Sequence, residues 1–247
     1  MSAGVIFQEV LRVLNRQWLP DVSRRDVVAA LEAGLPGPLA FLYDAGSEAG
    51  LTRQTLLTRA SAIYFAFSAV NLCDDLTDNE CQYLPDPFRS GPCTELILHT
   101  LCFSQLAEAD LPSGIVAAMT RDLVAAGGAQ HTEMQTQEWT TAIFRKVAEG
   151  IAGHQWAAYL RVLWYGTALA DRAATIGMNI GLATLLWEDI CSQDVRYMSL
   201  TEGEQREALS WAIGATAALH QEKLRCIDAV LKTIEPTLNP TLLAASI

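Results

Sequence analysis

The chain has 247 residues, 51% hydrophobic and 18% charged, with 17 Lys+Arg against 28 Asp+Glu and a formal charge of −11. That balance excludes intrinsic disorder, which needs low hydrophobicity and high charge. It also excludes nucleic acid as a partner, since phosphate backbones are gripped by clustered Lys and Arg and only three lysines occur, Lys146, Lys223 and Lys232.

Along the chain, Val5, Ile6, Val10, Leu11, Val13 and Leu14 share one helical stripe that Pro20 stops. Ser23 with Asp26 forms a capping-box pattern opening a helix through Leu31 that ends at Gly34. Gly34-Leu-Pro-Gly-Pro38 reads as a turn, followed by a short helix to about Ala45. Thr52 caps a long helix through Leu56, Ile63, Phe67 and Val70 to about Asn79. The stretch 81–92, holding Pro85, Pro87, Gly91 and Pro92, reads as a loop. A helix then reaches Ala109, and Pro112 starts another to about Ala126, which Gly127-Gly128 interrupts or ends. Segments 138–166 and 169–190 read as two long helices, and the last lies between Thr201 and Ile234, stopped by Pro236.

No alternating strand pattern, repeat or linker breaks this series, so one all-α domain over 1–247 is expected. The longest uncharged runs, 60–73 and 173–187, fall short of the ~20 residues of a bilayer span. They read as buried helices, and no membrane span is expected. The N-terminus MSAGVIFQEV lacks a basic n-region and a continuous apolar stretch. Cys73, Cys81, Cys93, Cys102, Cys191 and Cys226 show no CxxC pairing. Reduced thiols in a cytoplasmic protein, without zinc, are the expectation.

Chemistry concentrates in two acidic clusters, each closing an apolar helix. The first, Asn71-Leu-Cys-Asp74-Asp75-Leu-Thr-Asp78, follows a run with no charged position. Asp74 and Asp78, four apart, lie on one helix face, while Asp75 turns about a quarter of the way round. Like charges at that spacing repel, and a helix C-terminus adds its own negative end. Something cationic should compensate, and a hard divalent metal such as Mg²⁺ suits carboxylate oxygens and substrate phosphates. The second cluster, Glu188-Asp189-Ile-Cys-Ser192-Gln-Asp194-Val-Arg196, closes the run GMNIGLATLLW. Glu188 and Ser192, again four apart, both offer oxygen.

Asp74-Asp75-Leu-Thr-Asp78 resembles the DDxxD motif of class I isoprenoid synthases. Gly127-Gly-Ala-Gln130 resembles the GGQ segment of trans-prenyl diphosphate synthases. The stretch 176–189 resembles their glycine-rich helix leading into a second aspartate-rich motif. The resemblance covers about 51–200 and implies an all-α bundle of roughly ten helices around a central apolar cavity. It further implies metal ligation by Asp74, Asp75, Asp78, Glu188, Asp189 and Ser192, three Mg²⁺ ions, a prenyl diphosphate substrate and a homodimer.

Departures from the family pattern bear on function. The second motif also resembles the terpene-cyclase pattern (N/D)DxxSxxxE, with Arg196 where the last glutamate belongs. The place of the GGKRxRP segment, which grips isopentenyl diphosphate, reads Gly34-Leu-Pro-Gly-Pro-Leu without a cation. The arginine pair after the first motif is reduced to Arg89, and the KT lysine is replaced near His154-Gln155. This scarcity of cations argues against a second bound diphosphate. The expected function is therefore a Mg²⁺-dependent terpene synthase that ionises one allylic diphosphate and cyclises or rearranges the cation. The alternatives are a prenyltransferase using isopentenyl diphosphate or a small acceptor, and a non-catalytic regulatory subunit. Asp74, Asp78 and Arg196 are the catalytic candidates, and Arg89, Arg145 and Arg196 the diphosphate-binding ones. Tyr64, Phe67, Trp156 and Trp164 are candidates for the cavity wall, where aromatic faces suit a carbocation. Gln130 and Glu133, one turn apart, are candidates to face the cavity.

Overall fold

The computed structural model describes residues 2–34 and 36–234, and every regular element among them is helical. Internal contacts divide the chain into two compact units, Met1–Pro112 and Ser113–Ile247.

The first unit holds α1 (Ser2–Asn15), α2 (Asp21–Ala33), α3 (Pro36–Glu48), α4 (Arg53–Thr77) and α5 (Pro87–Glu108). Thr52 caps α4 by accepting from the Thr55 amide, as its sequence implies. α4 packs against the other four helices, and its residues 58–66 are buried without a break. Contrary to the run-length expectation, α4 is long and apolar enough to cross a membrane. However, 78% of its most apolar window is buried inside the protein, which makes it a core helix.

Three local expectations are corrected in this unit. The Ser23/Asp26 capping box does not form, because α2 starts two residues earlier, behind Pro20. Asp26 is instead buried and accepts from Arg25. The turn expected at 34–38 shortens, because Pro36 opens α3, where the missing N–H has no intrahelical partner to lose; Leu35 lies outside the described residues. The expected loop at 81–92 ends early as well, with Pro87 opening α5 and Pro92 inside it.

The second unit holds α6 (Ser113–Gln135), α7 (Thr141–Ala148), α8 (Gln155–Leu163), α9 (Ala173–Ser192), α10 (Val195–Met198), α11 (Glu202–Glu222) and α12 (Arg225–Ile234). Here α9 is central, packing on α7, α8, α10, α11 and α12. Gly127-Gly128 does not end α6, since both glycines face open space while their neighbours Ala126 and Ala129 are buried. The single helix expected over 138–166 is α7 and α8 joined by a π-helical turn at Glu149–His154. The single last helix is two, parted at Lys223 with φ +54°. Pro236, expected to stop it, lies outside the described residues. Thr201 and Glu204 cap α11 reciprocally.

Candidate functional site

The first carboxylate cluster stands at the C-terminus of α4. Leu72 is buried, and beyond it Asp74 and Asp78 are exposed, with the Asp78 amide bonded to the Asp74 carbonyl at 2.9 Å. Asn79 follows at φ +63° and turns the chain away. Asp75 is differently engaged: its Oδ2 accepts from Asn71 at 3.0 Å and from the Tyr83 hydroxyl at 2.7 Å. Burial, then the Asp75 carboxylate, raise the pKa of Tyr83, which therefore stays a donor. Nothing in the sequence marks Tyr83, which sits in a proline-rich stretch eight residues on. Asp74 and Asp78, two exposed carboxylates on one face, fit a hard divalent cation. Asp75 braces the helix end.

The second cluster closes α9, where Gln193 adopts φ +56° and the Asp194 amide returns to the Asp189 carbonyl at 2.9 Å. Glu188 and Ser192 are exposed, as four-residue spacing allows. Asp189 is 2% exposed and is taken by Arg196, whose Nη2 donates to Oδ1 at 2.7 Å. The other guanidinium nitrogens are equally committed, Nε to Asp194 Oδ1 at 2.9 Å and Nη1 to Glu133 Oε1 at 2.5 Å. Burial pushes the Asp189 carboxyl up to about 7, against the pull of Arg196. Burial acts against the Arg196 charge too, but Asp189, Glu133 and Asp194 outweigh it and raise its pKa. Arg196 and Glu133, both singled out from the sequence, thus meet each other. Their separation of 63 residues hides the pairing from sequence reasoning.

Other expected residues scatter. Arg145 bonds Glu149 at 2.7 Å and lies over the Trp211 ring at 5.1 Å. It lines a cavity of about 230 Å³ with Asn179, Leu182 and Leu186. At 100° per residue Asn179 and Leu186 lie roughly 120–180° round α9 from Glu188 and Ser192, so the cavity at Arg145 lies on a different side of α9 from those two residues. Arg89 lines another cavity of about 330 Å³, with Arg25, Asp26 and Asp86. The Tyr64 hydroxyl donates to the Leu31 carbonyl at 2.7 Å, and its ring stacks on Phe67 at 6.2 Å. Trp164 is fully buried, and Trp156 meets Tyr159 edge-on at 5.9 Å. His154 Nδ1 lies 3.0 Å from Asp122, which also accepts from Arg161. Among the described residues no three His, Cys, Asp or Glu side chains are grouped to hold a metal ion.

No protein-family model matches the sequence, and no curated protein matches it. Solved structures do. A geranyltranstransferase from Thermotoga maritima superposes with a TM-score of 0.74 at 16% identity, over 96% of this chain and 97% of that one. An isoprenoid synthase family member from Thermotoga neapolitana gives 0.75 at 17%, over 96% and 99%. A polyprenyl synthase from Caulobacter crescentus, complexed with calcium and isoprenyl diphosphate, gives 0.60 at 17%, over 95% and 86%. At these identities the likeness speaks for architecture: the chain has the all-α fold of the isoprenoid synthases.

Proposed function

We propose that this chain is an enzyme that ionises an allylic prenyl diphosphate and transfers the prenyl group to an acceptor. The observation that carries the reading is the exposed pair Asp74 and Asp78 at the end of a buried helix, in a fold shared almost end to end with a geranyltranstransferase. Mg²⁺ held by these two carboxylates would neutralise the departing diphosphate, a Lewis-acid role. The resemblance implies three ions and six ligands, and of these Asp75 and Asp189 also bond within the protein. Cations to grip a second diphosphate are few, which favours a small acceptor over isopentenyl diphosphate.

The same scarcity supports a second reading, terpene cyclisation, in which the prenyl cation itself is the acceptor. Incubation with geranyl, farnesyl and geranylgeranyl diphosphates, each with and without isopentenyl diphosphate, separates them. Longer prenyl diphosphates formed only with isopentenyl diphosphate mark chain elongation. Cyclic or rearranged hydrocarbon formed without it marks a cyclase. No diphosphate release from any substrate would leave the regulatory-subunit reading.

The reading also takes 1–247 as one domain, working in the cytoplasm without a membrane span as a homodimer. Pro92, Leu96 and Phe103, exposed on one side of α5 with Leu96 67% and Phe103 49% open, support the dimer. Sedimentation equilibrium should give twice the monomer mass, and Leu96→Glu with Phe103→Glu should halve it; a wild-type monomer would contradict the dimer.

A further inference from the structure

The geometry points to Arg196 as a built-in replacement for a metal ion at the second carboxylate cluster. Three carboxylates from three places in the second unit converge on its guanidinium: Glu133 from α6, Asp189 from the last turn of α9, and Asp194 from the cap of α10. Each uses a different nitrogen of the planar fork, a geometry that suits arginine better than lysine. The group is partly enclosed, with side-chain exposures of 17% for Arg196, 20% for Glu133, 31% for Asp194 and 2% for Asp189.

Without a cation these carboxylates, Asp189 buried and Glu133 and Asp194 partly so, would repel one another and destabilise the fold. A divalent ion is the ordinary solution to converging carboxylates. Here the sequence supplies the cation itself, at the position where the cyclase-like pattern would place another carboxylate. The expected ligand Asp189 is thereby used up, and an incoming divalent ion would meet a fixed positive charge beside Glu188 and Ser192. Arg196 is thus a positioning residue that fixes α6 against the end of α9. Divalent-ion binding is left to Asp74 and Asp78.

The test counts Mn²⁺ bound per chain by electron paramagnetic resonance on the full-length protein, with the metal alone as probe. Arg196→Gln, which keeps hydrogen bonding and removes the charge, should bind one Mn²⁺ more than wild type, and adding Asp189→Asn should abolish the gain. Arg196→Lys, which restores the charge, should return the count to the wild-type value. An Arg196→Gln protein with the wild-type count would overturn the proposal. Should that variant not fold, Glu188→Gln in an otherwise unaltered chain decides, because the residue is exposed. An unchanged count supports the proposal, and a lower one overturns it by showing metal already at this cluster. The metal-dependent reading of the first cluster stands apart, since it depends on whether Asp74→Asn lowers the count.

Discussion

Tyr64 shows how a side chain singled out for function can be committed to structure. Its hydroxyl reaches back 33 residues to the Leu31 carbonyl, and a Cβ on Gly34 would come within 2.6 Å of that oxygen. Only glycine leaves room there, so the glycine that ends α2 and the tyrosine in α4 form one device. Burial pushes Tyr64 up to about 12, and likewise the Cys102 thiol, also in the first unit. In the unfolded chain both release their protons near their ordinary values of 10.0 and 9.0. The folded state therefore holds more protons in that window, and stability falls as pH rises from about 9 toward 12. Urea midpoints measured between pH 8 and 11 should drop, and less steeply in Cys102→Ala and Tyr64→Phe. An alkaline slope unchanged in both variants would refute the assignment. The acidic residues were the most legible part of the sequence, because charge at an apolar helix end is a visible anomaly. Which of them pair inward was not, because Tyr83 and Glu133 reach their partners by way of the folded chain.

Helix identity follows from apolar spacing, and the helical segments appear where that spacing puts them. Their interruptions do not, because glycine and lysine carry weak local signals that packing overrides. Gly127 and Gly128 continue α6, whereas Lys223 takes a left-handed conformation and parts α11 from α12. The π-helical turn also reflects packing. Beside it α9 presents Gly181, where a Cβ would lie 2.2 Å from the Ala152 carbonyl oxygen, and Gly177, where one would lie 2.5 Å from that of Trp156. Backbone cannot yield as a side chain does, so Gly181→Ala should destabilise by about 1–3 kcal/mol or more. Gly128→Ala, which meets nothing within 4 Å, should stabilise by about 0.5–1 kcal/mol through helix propensity alone. Chemical denaturation of the two variants checks both signs. A destabilised Gly128→Ala protein would mean that α6 is not a continuous helix.

At the scale of the whole molecule, acidity and apolar content describe one arrangement. The charge of −11 is concentrated in part at two helix ends, and the two ends handle it differently. At α9 the chain supplies its own cation, Arg196. At α4 Asp74 and Asp78 remain exposed, and in the proposed function a metal carrying a diphosphate would be their partner. Fold class was legible in the sequence because helical spacing runs the length of the chain. The choice between transfer and cyclisation was less so, because it turns on acceptor binding and not on the carboxylates that both reactions share. The most direct measurement is Mg²⁺-dependent release of inorganic diphosphate from geranyl, farnesyl and geranylgeranyl diphosphates, comparing wild type with Asp74→Ala. Release from at least one substrate, abolished by chelation and lowered about 100-fold or more in Asp74→Ala, is the predicted result. No release from any of the three, or release indifferent to Asp74→Ala, would contradict it.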